Sequence, residues 1–176
     1  MAVVIVLLVL ILGFFAYMVK LNHDLLVNKD NILRSMAAFD AMIIKKNEAL
    51  LDLIGYAQDV MEKDAFLIKD IMKLRHEVTE IKPKIVNAPA RYQKQAELDK
   101  KIEQFLGALP RYSELGKNSA FQVSLQKFLN LNNEYKEKVE FYNTCVDRLN
   151  WSIHSFPSSI LAEMANTKEP PPKYQD

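Results

Sequence analysis

The sequence predicts an all-α protein: an N-terminal transmembrane helix followed by an antiparallel bundle of three long helices with coiled-coil-like packing. Three observations carry this. Ala2 to Val19 reads AVVIVLLVLILGFFAYMV without a charge. Phe121 to Phe156 keeps apolar residues in alternating steps of four and three: Phe121, Leu125, Phe128, Asn132, Tyr135, Val139, Tyr142, Val146, Leu149, Ile153 and Phe156, with Asn132 the lone polar member. A second row begins at Leu25 and runs through Ile32, Phe39, Lys46, Leu53, Val60, Leu67, Leu74 and Ile81. A 3.5-residue repeat keeps one row of side chains facing one partner, which is the geometry of a helix in a bundle and not of a strand.

The uncharged run spans roughly 27 Å at 1.5 Å per residue, enough for a hydrocarbon core. A cleaved signal peptide competes, but no Lys or Arg precedes the run and it exceeds an ordinary signal core. Lys20, Lys29, Arg34, Lys45 and Lys46 follow it. Positive residues stay on the cytoplasmic side, so the expected topology is N terminus outside and bundle in the cytoplasm. The expected location is the bacterial cytoplasmic membrane, with an intracellular organelle membrane as the alternative.

The row from Leu25 continues until Pro83 removes a backbone donor, giving one long helix with Gly55 as a kink position. Its companion row is Met36, Ile43, Leu50, Ala57, Asp64, Ile71 and Val78. Lys46 and Asp64 interrupt the seam, which reads as a seam covered over only part of its length. Pro83, Asn87 and Pro89 form the first breaker cluster. A shorter helix follows, with Leu98, Ile102, Phe105 and Leu109 on one face and Pro110 closing it. The loop Arg111 to Asn118 leads to Ser119-Ala-Phe-Gln122, which has the form of a capping box. Pro157 ends the last long helix, Ser158 caps a short turn through Met164, and Glu169 to Asp176 reads as exposed tail. The expected organisation is therefore an anchor at 1–20, a bundle at 21–165 and an exposed Pro-rich tail at 166–176.

Charge and chemistry narrow the function. Lys+Arg 23 against Asp+Glu 22 leaves a net charge of +1, so no pull toward nucleic acid is expected. One Cys excludes an internal disulfide framework, and 4 Gly are too few and too scattered for a phosphate loop. His23, His76 and His154 share no metal-ligand spacing. Cys145 reads as a small buried thiol rather than a nucleophile. Asp40, Glu48, Asp52, Asp59 and Glu62 read as a solvated face, because a di-iron bundle needs Glu-x-x-His and the chain has none. Tyr112, Tyr135 and Tyr142 interleave with aliphatics and read as core with hydroxyls at the rim. No catalytic residue, cofactor or metal is expected. The candidate interaction or structural seam is Asn132, Tyr142, Asn143, Asn150, Phe156 and Pro157. Asn143 and Asn150, seven apart, either cross-link helices or grip a partner.

Tyr142-Asn143, Val146, Asn150, Phe156-Pro157 and Ile160-Leu161-Ala162 carry a family resemblance, joined by Tyr112, Leu115, Asn118 and Phe121 upstream. Phe39-Asp40, Lys45-Lys46, Leu50, Leu53-Ile54, Gly55-Tyr56 and Arg75 form a second block. In their order and spacing these residues resemble the LemA family. The chain departs from that family's pattern at Leu51 and Ser113, where Pro is usual, and at Asn132 and Val139, where Glu and Arg are usual. The resemblance implies a membrane-anchored helical protein without an established catalytic activity. Some such proteins take part in building magnetosome membranes, and others are linked to envelope stress and membrane peptidases. The function expected is thus a non-enzymatic scaffold or adaptor whose bundle binds a protein partner, possible self-association included. A magnetosome or envelope-stress assembly component, and an enzyme with an unrecognised site, are the alternatives. Asn132 offers a test: on a buried seam, Asn132→Leu raises stability and loosens oligomeric specificity, whereas facing water it changes little.

Overall fold

The computed structural model describes residues 1–167 and 169–175, and every regular element among them is helical. The long helices are α1 (Ala2–Ala57), α2 (Ala65–Glu80), α3 (Ala88–Ala108) and α5 (Ser119–His154), with the short α4 (Ser113–Lys117) and α6 (Ser158–Met164). The chain divides into two compact units, one of residues 1–35 with 144–170 and one of residues 36–143 with 171–176.

The heptad rows are where the burial lies. Leu25, Ile32, Phe39, Lys46 and Leu53 are all buried on α1, as are Phe121, Phe128, Tyr135, Tyr142 and Leu149 on α5. The alternate row of α5 is half-buried at Leu125, Asn132 and Val139. The start of α1 is long and apolar enough to cross a membrane, and none of that window is buried within the protein.

Three expectations are corrected. The first long helix does not reach Pro83: it ends at Ala57, and a turn with a 3-10 segment at Glu62–Asp64 reverses the chain into α2. The Met61 and Val60 amides both donate to the Ala57 carbonyl, at 2.8 and 3.1 Å, and Met61 is fully buried beneath the turn. Burying Met61 and folding Ile68, Ile71 and Val78 back into the core outweighs continuing a helix that no proline interrupts. The expected three-helix arrangement is therefore four-helical in the second unit. Asp40–Arg91 and Lys46–Asp99 contacts run parallel between α1 and α3, whereas Asp70–Lys101 with Glu77–Lys94 between α2 and α3, and Phe39–Tyr142 with Asp52–Lys127 between α1 and α5, run antiparallel, giving up-down-up-down order.

The capping of α5 is the second correction. Asn118, not Ser119, accepts the Phe121 amide at 3.1 Å, and the Gln122 side chain donates to the Leu115 carbonyl. An Asn one residue earlier serves the Phe121 amide instead, the Gln122 amide bonds the Asn118 carbonyl, and residues 113–117 of the expected loop coil into α4. At α6 the helix forms as expected, but the Ser158 hydroxyl donates to the Ser155 carbonyl instead of capping. Its far end closes on Asn166, at φ 45°, with the Thr167 amide donating to the Ala162 carbonyl at 2.9 Å.

The third is the tail. Within 166–176, Tyr174 is buried with 3% exposure, so this segment is not simply an exposed tail. Lys168 and Asp176, which that expectation included, lie outside the described residues.

Candidate functional site: a polar and aromatic cradle

The second unit has an unusual interior. Its centre holds Phe39, Asp40, Lys46 and Asn47 from α1, Arg91, Tyr92, Gln95 and Asp99 from α3, Tyr135, Tyr142 and Asn143 from α5, and Tyr174 from the following segment. Helical spacing explains the gathering. Phe39 and Lys46, Tyr92 and Asp99, and Tyr135 and Tyr142 are each one heptad apart, and Arg91 and Gln95 are one turn apart, so each helix presents its set along one stripe.

Asp99 organises the polar half. Its Oδ1 accepts from Lys46 Nζ at 2.8 Å and from Gln95 Nε2 at 2.7 Å, while Oδ2 accepts from the Tyr135 hydroxyl at 2.8 Å and the Tyr174 hydroxyl at 2.7 Å. Lys46 is only 2% exposed, and its ammonium also lies 3.8 Å from the centre of the Tyr135 ring. The seam interruption at Lys46 is thus a buried ammonium paired with a carboxylate that is 14% exposed, not an uncovered stretch. Gln95 passes the network on to Asn47 through its Oε1 at 3.0 Å.

A second ion pair lies alongside. Arg91 Nε is 3.0 Å from Asp40 Oδ1, and the Arg91 Nη1 donates to the Ile81 carbonyl at 2.6 Å and the Val78 carbonyl at 3.3 Å, closing the last turn of α2. Asp40 therefore does not belong to a solvated face, although Glu48, Asp52, Asp59 and Glu62 are exposed. Burial holds the Asp40 carboxyl above the usual carboxylate range, and Arg91 only partly offsets that.

The aromatic half encloses Tyr174. Phe39 lies at its edge with centroids 5.3 Å apart, and the Tyr92 and Tyr135 rings lie at 6.0 and 6.1 Å. Burial, then the Asp99 charge, pushes the Tyr135 hydroxyl well above its ordinary value. Burial pushes up Tyr142 likewise, and Tyr92 as well, with the Asp40 charge adding to it. These hydroxyls stay protonated, Tyr135 donating to Asp99 and Tyr142 to the Pro172 carbonyl, and the four donors around Asp99 occupy its lone pairs.

Backbone recognition completes the cradle. The Asn143 amide donates to the Tyr174 carbonyl at 3.0 Å and accepts the Tyr174 amide at 2.9 Å, while the Tyr142 hydroxyl donates to the Pro172 carbonyl at 2.8 Å. One side chain reading both backbone groups of one residue is a way to hold an extended strand.

Of the seam residues expected from the sequence, the structure brings Tyr142 and Asn143 together here. Asn132 is half-buried on α5, and Asn150 and Phe156 are exposed, with Pro157 half-buried beyond a cis Phe156–Pro157 bond. The Asn143–Asn150 stripe therefore does not act as a pair: one amide holds Tyr174 and the other faces solvent. Asn132→Leu is expected to change stability by no more than about 0.5 kcal/mol, read as an unmoved melting temperature and oligomeric state, because a half-buried amide pays little desolvation. Cys145 is a buried free thiol, and among the described residues no group of three or more His, Cys, Asp or Glu side chains is placed to hold a metal. Asp40, Arg91, Gln95, Asp99 and Tyr174 were not expected as site residues. The signal that could have found them is Lys46, a lone cation on a strict apolar row that demands a buried carboxylate.

The architecture is thus an all-helical one led by a long apolar helix, with a charged and aromatic centre closed by the chain's own C-terminal segment. The chain belongs to the LemA family, whose model matches residues 35–175, a range that takes in the cradle from Phe39 to Tyr174. No curated protein matches the chain, and no solved structure does either.

Proposed function

We propose that the protein is a non-enzymatic, membrane-anchored adaptor whose bundle binds a protein partner by taking an extended, tyrosine-bearing segment into the cradle. The observation that carries this reading is the Asn143 grip on both backbone groups of Tyr174, with the tyrosine hydroxyl on Asp99. Backbone bonds of this kind recognise an extended chain, and the aromatic seat selects the side chain. The unburied apolar start of α1 supports the anchor, since such a surface is stable only in lipid or against another apolar face. Lys20, Lys29 and Arg34 after it support a bundle on the cytoplasmic side.

The cradle can be tested with the full chain in detergent micelles. Tyr174→Ala empties the seat, and a labelled peptide of residues 169–175 is then expected to bind in trans. Changing the peptide's Tyr to Phe is expected to weaken binding by roughly ten-fold or more, the worth of a hydrogen bond to a charged acceptor. Failure of the Tyr peptide to bind a helical, folded Tyr174→Ala chain would refute peptide recognition.

A further inference from the structure

We propose that the end of the first unit forms an apolar collar, Trp151, Phe156, Ile160 and Met164, which inserts into the interfacial layer of the bilayer that α1 crosses. This rests on the membrane-anchor reading above and adds a second, independent contact with lipid. The four side chains are 68%, 83%, 46% and 79% exposed. Large apolar groups gathered on one end of a unit are costly in water and mark a surface made for another phase or partner.

The fold says which surface. Residues of α1 just beyond the uncharged run pack against the end of α5: Leu25 and Ile32 are buried in the same unit as Val146 and Leu149, and Asn28 Nδ2 donates to Ser152 Oγ at 2.8 Å. A groove of about 480 Å³ then places Leu21 and Asp24 of α1 beside Trp151 and Ser158. From the Asn28–Ser152 bond to Leu21 and Ser158, both chains advance toward the apolar run. Asn28, level with Ser152, stands eight residues past Lys20, roughly 12 Å at 1.5 Å per residue, whereas Leu21, which shares the groove with Ser158, stands one residue past it, so the chain from Trp151 to α6 descends to the depth where that run meets headgroups. Tyr17, 49% exposed near the end of the run, stands four residues before Leu21, roughly 6 Å further into the run, and supplies an aromatic ring on the lipid side of that boundary. Aromatic side chains concentrate at that depth because an apolar ring and a polar edge are satisfied together there.

Charge selects the kind of lipid contact. Between Trp151 and Met164 the ionisable side chains are His154 and Glu163, and the groove beside Trp151 sets Arg148 against Asp24 and Asp147, so the collar presents no net cationic patch for anionic headgroups. Insertion is therefore apolar, works on zwitterionic phosphatidylcholine and is insensitive to salt. The exposed Phe156 and the turn it forms with Pro157 gain a role here that the cradle does not give them.

Trp151 is the sole tryptophan of the chain, so the unmodified protein reports on itself. The full chain is reconstituted into phosphatidylcholine vesicles and floated on a density gradient. Protein that fails to float overturns the anchor reading and this one with it. For floated protein, the expected result is blue-shifted Trp151 emission that acyl-brominated phosphatidylcholine reduces by roughly half or more, at low and high salt alike. A Trp151→Phe, Phe156→Trp variant is expected to give stronger quenching, because the second collar position lies nearer the apolar run. Floated protein whose indole is quenched by aqueous iodide but not by brominated lipid overturns the collar and leaves the anchor standing.

Discussion

Replacing Asp99 with Ala is expected to cost the second unit more than about 4 kcal/mol, the range reached when a buried ion pair loses one partner within a larger network. The carboxylate accepts four donors, and removing it takes the counter-charge from an ammonium that is 2% exposed. The Tyr135 ring remains beneath Lys46, but a cation–π contact of about 1 to 2 kcal/mol does not replace a desolvated ion pair. Thermal unfolding of the full chain by circular dichroism is expected to show a melting temperature lowered by roughly 10 °C or more. Asp99→Leu combined with Lys46→Met is expected to recover a large part of the loss, because the cost comes from stranding a charge and not from losing a favourable pair. An Asp99→Ala chain within about 1 kcal/mol of the parent would mean that Lys46 reaches water in solution, and the cradle would then be open rather than packed.

What the sequence disclosed and what it hid have one physical cause. Periodicity reports which face of a helix is buried, so the rows through Phe39 and Leu53 and through Phe121 and Leu149 were legible, as was the breaker at Pro83. The reversal at 58–64 was not, because it holds no proline and is fixed by Met61 packing beneath it, a tertiary effect with no local signature. Lys46 was visible as an anomaly, yet its partner Asp99 lies on another helix beside an ordinary apolar stripe, and pairing between helices leaves no mark in either pattern alone. Tyr174 follows three prolines and looks like linker. Its grip runs through its own backbone to Asn143, so composition carries no trace of it. Asn143 stands out on its stripe by polarity, whereas Phe156 continues the seam spacing and yet faces outward.

Arg91→Leu is expected to cost about 3 to 5 kcal/mol at neutral pH, with a deficit that shrinks on acidification. Arg91 is 3% exposed and does two jobs: it faces Asp40 at 3.0 Å and closes the final turn of α2 through the Val78 and Ile81 carbonyls. Leucine fills part of the space but leaves the Asp40 carboxylate without that cation and returns two carbonyls to the orphan state. The pH dependence follows from the carboxyl. Burial already raises Asp40 above its ordinary 3.8, and Arg91 supplies the opposing, lowering influence, so the variant's carboxyl rises further. A carboxyl raised in the folded state makes that state bind more protons than the unfolded chain, and stability then falls as pH increases. Its favourable contribution is complete below 3.8 and is lost as pH climbs through the raised folded value. Urea unfolding at a series of pH values should therefore show the variant closest to the parent in acid and furthest from it at neutrality. Arg91→Lys should fall between, since lysine keeps the charge but lacks the planar fork that serves the carboxylate and both carbonyls at once. A deficit constant across that range would place the whole effect on the α2 carbonyls and show that the buried Asp40 charge is held by something other than Arg91.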